Sequence, residues 1–316
     1  MVVNAVAPPR AAKESRRHRS GARLSPLGFV MALPPILIVL LFVGVPVVSA
    51  LAFSLGFTGG LNSIVSMIGL NVHKADAWWG TLAAYQEVFS NPQFLADLGV
   101  TVLVTVVSAL IVLFMAMGIG LYLRMRGGWL ANVLSGLAVI PLFIPVVIAS
   151  WAILTFYSGD GFVRSVFALV GLQGPTWGYT VVAIVIGSVW TSLPFAVLMI
   201  ASGLQAIPDA MIETARDAGA GFVRIAVSIM MPMAFVPIVI AATFTAIGVI
   251  GSFTVPYFTG PNAPTMLGVT LTSYFTSYNQ PQQSIVMAFT IFIAAGAIGA
   301  FYVWANFRSA KDQGRV

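Results

Sequence analysis

Cysteine is absent from the 316 residues, which excludes both a disulfide framework and a cysteine-based metal site. Charge is scarce as well. Asp, Glu, Lys and Arg make up 8% of the chain against 59% hydrophobic residues, where a soluble domain carries about 25% charged residues. The two histidines, His18 and His73, both lie outside the long apolar runs, which argues against an intramembrane serine protease with a histidine base. The phosphate-binding pattern Gly-x4-Gly-Lys-Ser/Thr occurs nowhere, so the chain is not expected to hydrolyse nucleotide itself. No metal site is expected.

What is present is long apolar runs, several beyond the roughly 18 residues that mark a transmembrane helix. The sequence predicts six spans, at about 27–55, 98–123, 130–157, 179–203, 229–253 and 284–306. On these boundaries none holds an Asp, Glu, Lys, Arg or His, which argues against a proton- or ion-coupled pump. Pro34, Pro35 and Pro46 should kink the first span, and Pro141, Pro145 and Pro237 lie inside later ones. The first run also resembles a secretory signal, with Val48-Ser49-Ala50 as a passable cleavage site. It is far longer than the roughly 7–15 residues of a signal core, so an uncleaved span is favoured. The resulting organisation is a basic tail at 1–26, a first span with an external loop at 27–97, a core at 98–307 and a closing tail at 308–316.

The net charge of +6 follows membrane orientation rather than nucleic-acid binding. Arg10, Lys13, Arg16, Arg17, Arg19 and Arg23 crowd the N-terminal tail. Arg124 and Arg126 follow the second span, Arg216 and Arg224 follow the fourth, and Arg308, Lys311 and Arg315 close the chain. Only Lys74 and Arg164 fall on the opposite face. Basic residues mark the cytoplasmic side, so both termini and the segment after span four are expected there.

That segment, IPDAMIETARDAGAGFVRIAVSIMMP from Ile207 to Pro232, holds Asp209, Glu213 and Asp217, three of the chain's nine carboxylates. Pro208 suits a first helical position, and Asp209 and Glu213 favour the positive helix N-terminus. Gly219, followed by Ala220 and Gly221, is a natural stop with positive φ. A short helix at 207–221, a sharp turn and a second helix are expected between two spans. Glu213-Thr214-Ala215, three residues, Gly219, nine residues, Ile229, one residue and Met231-Pro232 reproduce a known spacing. They resemble the coupling loop of ATP-binding-cassette importer permeases, whose pattern is Glu-Ala-Ala, Gly, Ile and Leu-Pro at those intervals. Thr214 for Ala and Met231 for Leu are the departures.

The resemblance implies an all-α polytopic protein of the type I importer permease fold in a bacterial inner membrane, with six spans. It implies two ATP-binding subunits, which bind the ATP and Mg, so that this chain needs no cofactor. It further implies a second permease subunit, identical or homologous, a solute-binding protein and surrounding lipid. The coupling residues are then Pro208, Asp209, Glu213, Thr214, Ala215, Asp217, Gly219, Ala220, Ile229 and Pro232. The wording ETARDAGA, and the later GPNAPTMLGVTLTSYF, are closer to the polyamine, ferric-iron, sulfate and thiamine group than to the sugar group. The absence of buried carboxylates weakens a polyamine substrate, and sugar, iron or another small solute stays open. Candidates for the substrate path are Tyr157, Trp190, Thr191, Ser192, Ser252 and Thr254. The competing reading is an ATP-independent secondary transporter or scaffold with a merely structural loop.

Overall fold

A computed structural model describes residues 26–312. The basic tail expected over 1–26 lies outside the described residues but for its last position, and so does the end of the closing tail, 313–316. Among the described residues every regular element is helical. The chain divides into two units, 1–48 and 49–316. In the first, α1 (Pro26–Val39) carries Pro34 and Pro35 inside it and runs into a π-helical turn at Leu40–Gly44. Helix α2 (Val45–Ser54) follows. The N–H of Val45 reaches back five residues to Leu40, just ahead of Pro46. A proline ring clashes with the carbonyl four residues earlier, and a widened turn relieves that clash.

In the second unit, α3 (Ser63–Ile68) and α4 (Ala83–Phe89) are short elements of the external segment. Two consecutive buried glutamines hold that segment. The Gln282 side chain accepts from the His73 N–H at 2.7 Å and donates to the Phe53 and His73 carbonyls, both at 2.9 Å. Gln283 donates to the Asn71 carbonyl at 2.9 Å and to the Glu87 carboxylate at 3.0 Å.

Helix α5 (Pro92–Met125) is longer than the run expected at 98–123. Asn91 caps it by accepting from the Gln93 N–H at 2.9 Å, and Pro92 takes the first turn. The correction matters, because Asp97 and Arg124 thereby become part of a span that was expected to hold no charged residue.

The third expected span is broken. Helix α6 (Gly128–Val139) passes through a 3-10 turn at Ile140–Phe143, and α7 (Val146–Tyr157) starts after Pro145. Both interruptions coincide with the prolines at 141 and 145. Helix α8 (Phe162–Leu169) is external on the expected topology, and α9 (Val181–Gln205) is the fourth span. Helix α10 (Asp209–Asp217) is the polar one. After it come α11 (Phe222–Ile225), a π turn at Ala226–Met230, α12 (Met231–Met233) and α13 (Phe235–Ile250). The π turn again stands one residue ahead of a proline, Pro232. Between α12 and α13 the fifth span bends by 75° at Ala234, three residues before Pro237. Helices α14 (Thr254–Thr259), α15 (Leu267–Thr276) and α16 (Pro281–Asp312) complete the chain.

Helices α5 and α9 pack along most of their lengths and form the centre. Val112, Ala116, Val197, Ile200 and Leu204 are buried between them, and the same cluster continues through Ile207, Ile212, Ile225 and Met230. Small residues make the approach possible. A Cβ on Gly120 would stand 3.0 Å from Leu204, and one on Gly203 would stand 2.5 Å from the Pro237 ring. Outward faces stay apolar and uncovered, with Phe114 and Phe143 each 82% exposed, as lipid-facing or partner-facing surfaces require.

Candidate functional site

Helix α10 is seated on the core by one face. Ile207 and Ile212 are buried, and Ala215 and Ala220 pack against the same cluster. Burying an isoleucine contributes roughly 1.5–3 kcal/mol, enough to hold a nine-residue helix that would not persist alone. Pro208 stands one position earlier than expected. It is the residue before the helix, with φ −59° and ψ 135°, and Asp209 opens the first turn.

The helix ends in a Schellman motif. Gly219 has φ +80°, its N–H donates to the Arg216 carbonyl at 2.8 Å, and the Ala220 N–H donates to the Ala215 carbonyl at 2.9 Å. The positive φ expected at Gly219 is therefore present. Thr214, the residue that departs from the Glu-Ala-Ala pattern, donates its hydroxyl to the Ala210 carbonyl at 2.7 Å. The extra polar group is absorbed by the helix itself.

The outward face carries Glu213, Thr214, Asp217 and Ala218, all exposed. Among the described residues no basic side chain lies within ion-pair distance of Glu213 or Asp217. Arg216, three residues from Glu213, turns the other way and donates to the Met125 carbonyl at 3.2 Å. Asp209 pairs with Arg124 at 2.5 Å. Arg124 also donates through Nε to the Leu204 carbonyl at 3.1 Å and through Nη2 to the Ile207 carbonyl at 2.6 Å. The sequence reading took Asp209 as a docking group and overlooked Arg124. An arginine closing a long apolar run was the available signal. Ile229 lies in the π turn and is half-buried, while Pro232 is exposed.

The candidate substrate-path residues are only partly brought together. Thr191 and Ser192 line a cavity of about 290 Å³ with Phe195, Phe244, Thr245 and Gly248. Thr191 also borders a second cavity, of about 400 Å³, along the broken segment Pro141–Val146. Phe195 and Phe244 face each other with ring centroids 5.5 Å apart. The Thr245 hydroxyl is buried with no hydrogen-bond partner among the described residues. Tyr157 instead packs on Trp177, centroids 5.5 Å apart, at the end of α7. Trp190, Ser252 and Thr254 line neither cavity. Phe195, Phe244 and Thr245 were not singled out from the sequence, because aromatic and hydroxyl residues in apolar runs look the same whether they pack helices or line a path.

Residues 113–309 match the family described as binding-protein-dependent transport system inner membrane component. Among curated proteins, the sulfoquinovosyl glycerol transport system permease protein SmoG of Agrobacterium fabrum is 29% identical over 60% of this chain and 63% of its own length. The alignment thus spans less than two thirds of that relative. The trehalose/maltose transport system permease protein MalF of Thermococcus litoralis is 28% identical over 74% of this chain and 77% of its own. In fold the chain is similar to a subunit of a bacterial alginate ABC transporter crystallised in complex with alginate pentasaccharide-bound periplasmic protein. That match has a TM-score of 0.68 at 17% identity, covering 87% of this chain and 92% of the other.

Proposed function

The chain belongs to the family of binding-protein-dependent transport system inner membrane components, and on that premise we propose that it is the permease subunit of an ATP-driven importer for a polyhydroxylated solute. The observation that carries the reading is helix α10. Its apolar face is buried in the same cluster as the two central helices, it is sharply capped at Gly219, and its free face presents two carboxylates without cationic partners among the described residues. Like charges one turn apart cost a few tenths of a kcal/mol on an isolated helix. A cationic cleft on a docked ATP-binding subunit offsets that cost and is the natural complement. Closure of two such subunits on ATP would drive paired α10 helices together and shift the spans between inward- and outward-facing states. The chain itself carries out no hydrolysis, and ATP and Mg sit in the partner subunits. A second permease subunit and a solute-binding protein complete the assembly, in line with the alginate transporter and its periplasmic protein.

For the solute, the relatives' names shift the reading from the polyamine group towards glycosides and glycerol derivatives. The cavity chemistry supports the same class. Ser192 offers a hydroxyl, Thr191 offers hydroxyl lone pairs while its proton goes to the Gly187 and Ser188 carbonyls, and Phe195 and Phe244 offer apolar ring faces. That combination suits a sugar ring with polar edges and an apolar face, and no carboxylate there would hold a polyamine cation.

The test is purification of the chain from its native membrane and reconstitution in vesicles. An ATP-binding subunit is expected to co-purify, and ATP-dependent uptake is expected for a maltose-type disaccharide or a glycerol glycoside. A chain that purifies with no ATPase and transports without nucleotide supports the secondary-transporter or scaffold reading instead. Uptake of spermidine in place of every sugar tested would overturn the solute class alone.

A further inference from the structure

Helix α5 carries two charged residues, one near each end, Asp97 and Arg124. Both are committed to contacts with other elements. At one end the Arg124 guanidinium, largely buried, holds three acceptors: the Leu204 carbonyl at the close of α9, the Ile207 carbonyl in the connection, and the Asp209 carboxylate at the start of α10. Arg216 of α10 answers in the reverse direction by donating to the Met125 carbonyl. A planar fork with several donors can hold such divergent acceptors in one geometry, whereas the single ammonium of lysine cannot. The two arginines form a reciprocal clamp between α10 and the end of α5.

At the other end Asp97 is 1% exposed. It accepts from the Thr265 N–H at 2.9 Å, the Thr270 hydroxyl at 2.6 Å and the Gln93 amide at 2.8 Å. One turn on, the Thr101 hydroxyl accepts from the Leu267 N–H at 2.9 Å. The segment entering α15 is thus fastened to α5 by backbone groups as well as side chains. The 27 helical steps between Asp97 and Arg124 span about 40 Å at 1.5 Å per residue. Between these fastenings α5 is packed along α9 with small and apolar residues, and it contains no internal proline or helix break.

We propose that α5 is a strut that links the coupling helix to the 265–270 segment, with Arg124 and Asp97 as its positioning residues. Docking or nucleotide-driven displacement of α10 moves the end of α5 through the clamp. The fastening at Asp97 then shifts the far segment, and the reverse path carries the arrival of a loaded binding protein to the ATPases. Both sites bias the same rigid element, which is the physical condition for coupling.

The inference rests on the importer reading, and its test starts from a wild-type complex that contains an ATPase and responds to its solute-binding protein. Failure to obtain such a complex counts against the importer reading, not against the strut. The readout is the ratio of binding-protein-stimulated to basal ATP hydrolysis, normalised to co-purified ATPase. Loss of a charge-assisted bond of this kind corresponds to roughly tenfold, so Arg124→Ala is expected to lower the ratio by about that factor, and Arg124→Lys by less. Asp97→Ala, at the opposite end, is expected to lower it as well. A purely structural role would reduce protein yield while the surviving complexes kept the wild-type ratio, and that outcome in either alanine variant overturns the proposal. Should the variants fail to assemble, spin labels on Met125→Cys and Ala218→Cys in the otherwise wild-type complex decide. A separation unchanged between nucleotide-free and ATP-bound states supports the clamp, and a separation that changes with nucleotide overturns it.

Discussion

Gly219 sits at φ +80° with nothing within 4 Å of where a Cβ would stand. The cost of a side chain there is conformational, about 1–2 kcal/mol for a left-handed residue, with no clash inside the chain to add to it. Asparagine tolerates that region, and a β-branched residue does not. Gly219→Val is therefore expected to disturb the Schellman turn and lower the ATPase recovered per permease, while Gly219→Asn stays near wild type. Quantitative co-purification checks this, and equal recovery of ATPase by Val and wild type would show that the turn is not needed for docking. Glu213 acts differently. It is exposed and makes no ion pair within the described chain, so Glu213→Ala is expected to weaken docking less than Gly219→Val and to leave the permease's own thermal stability within about 0.5 kcal/mol. A large drop in stability of the isolated permease would place Glu213 in the fold and remove it from the docking face. Gly219 was legible in the sequence because only a turn of this kind asks for glycine at the close of a polar helix. Arg124 was not, because a lone arginine at the edge of an apolar run reads as a membrane-interface charge. Its role depends on carbonyls 80 and 83 residues away in the chain.

At the level of elements, hydropathy located the spans, since apolar run length is a direct consequence of the bilayer. It misplaced the start of α5, where Asn91-Pro92 begins a helix several residues before the apolar run. Hydropathy counts a buried, fully bonded aspartate as a loop residue. It also could not separate a straight span from a broken one. Pro141, Pro145 and Pro237 were visible as kinks, but the 75° bend at Ala234 depends on what the bend packs against. Gly203 supplies that contact, as a Cβ there would stand 2.5 Å from the Pro237 ring. The ring cannot swing aside, so α9 or the bend must move. Gly203→Val is expected to destabilise the purified permease by about 1–3 kcal/mol through overpacking, seen as a lower unfolding temperature in detergent. Gly248, with open space at its Cβ position, gives the control: Gly248→Ala should leave that temperature unchanged. Equal thermal behaviour of Gly203→Val and Gly248→Ala would mean that the bend is not braced by α9.

For the whole molecule, orientation follows from charge and not from any contact. Crossing the bilayer costs a basic residue more than it costs the apolar spans, so Lys and Arg collect where insertion leaves them. On the topology expected from the sequence, thirteen of the fifteen basic residues belong to the face expected to hold α10. The same face must meet ATP-binding subunits if the proposed function holds, so topology and function are two separate demands on one helix. Position 262, in the exposed segment ahead of α15, belongs to the opposite face and to the end of α5 that Asp97 fastens. The natural absence of cysteine makes the distinction measurable without background. Ala210→Cys, on the exposed side of α10, is expected to resist a membrane-impermeant maleimide in spheroplasts and to react after permeabilisation. Asn262→Cys is expected to react in both. Labelling of Ala210→Cys in sealed spheroplasts would turn the molecule over and put α10 out of reach of cytoplasmic nucleotide. An importer driven through this helix could not then operate. Protection of both positions would instead bury residue 262 in the assembly, as expected if a solute-binding protein docks there under the proposed function. Adding or removing that protein would then change the labelling of Asn262→Cys and leave Ala210→Cys as it was.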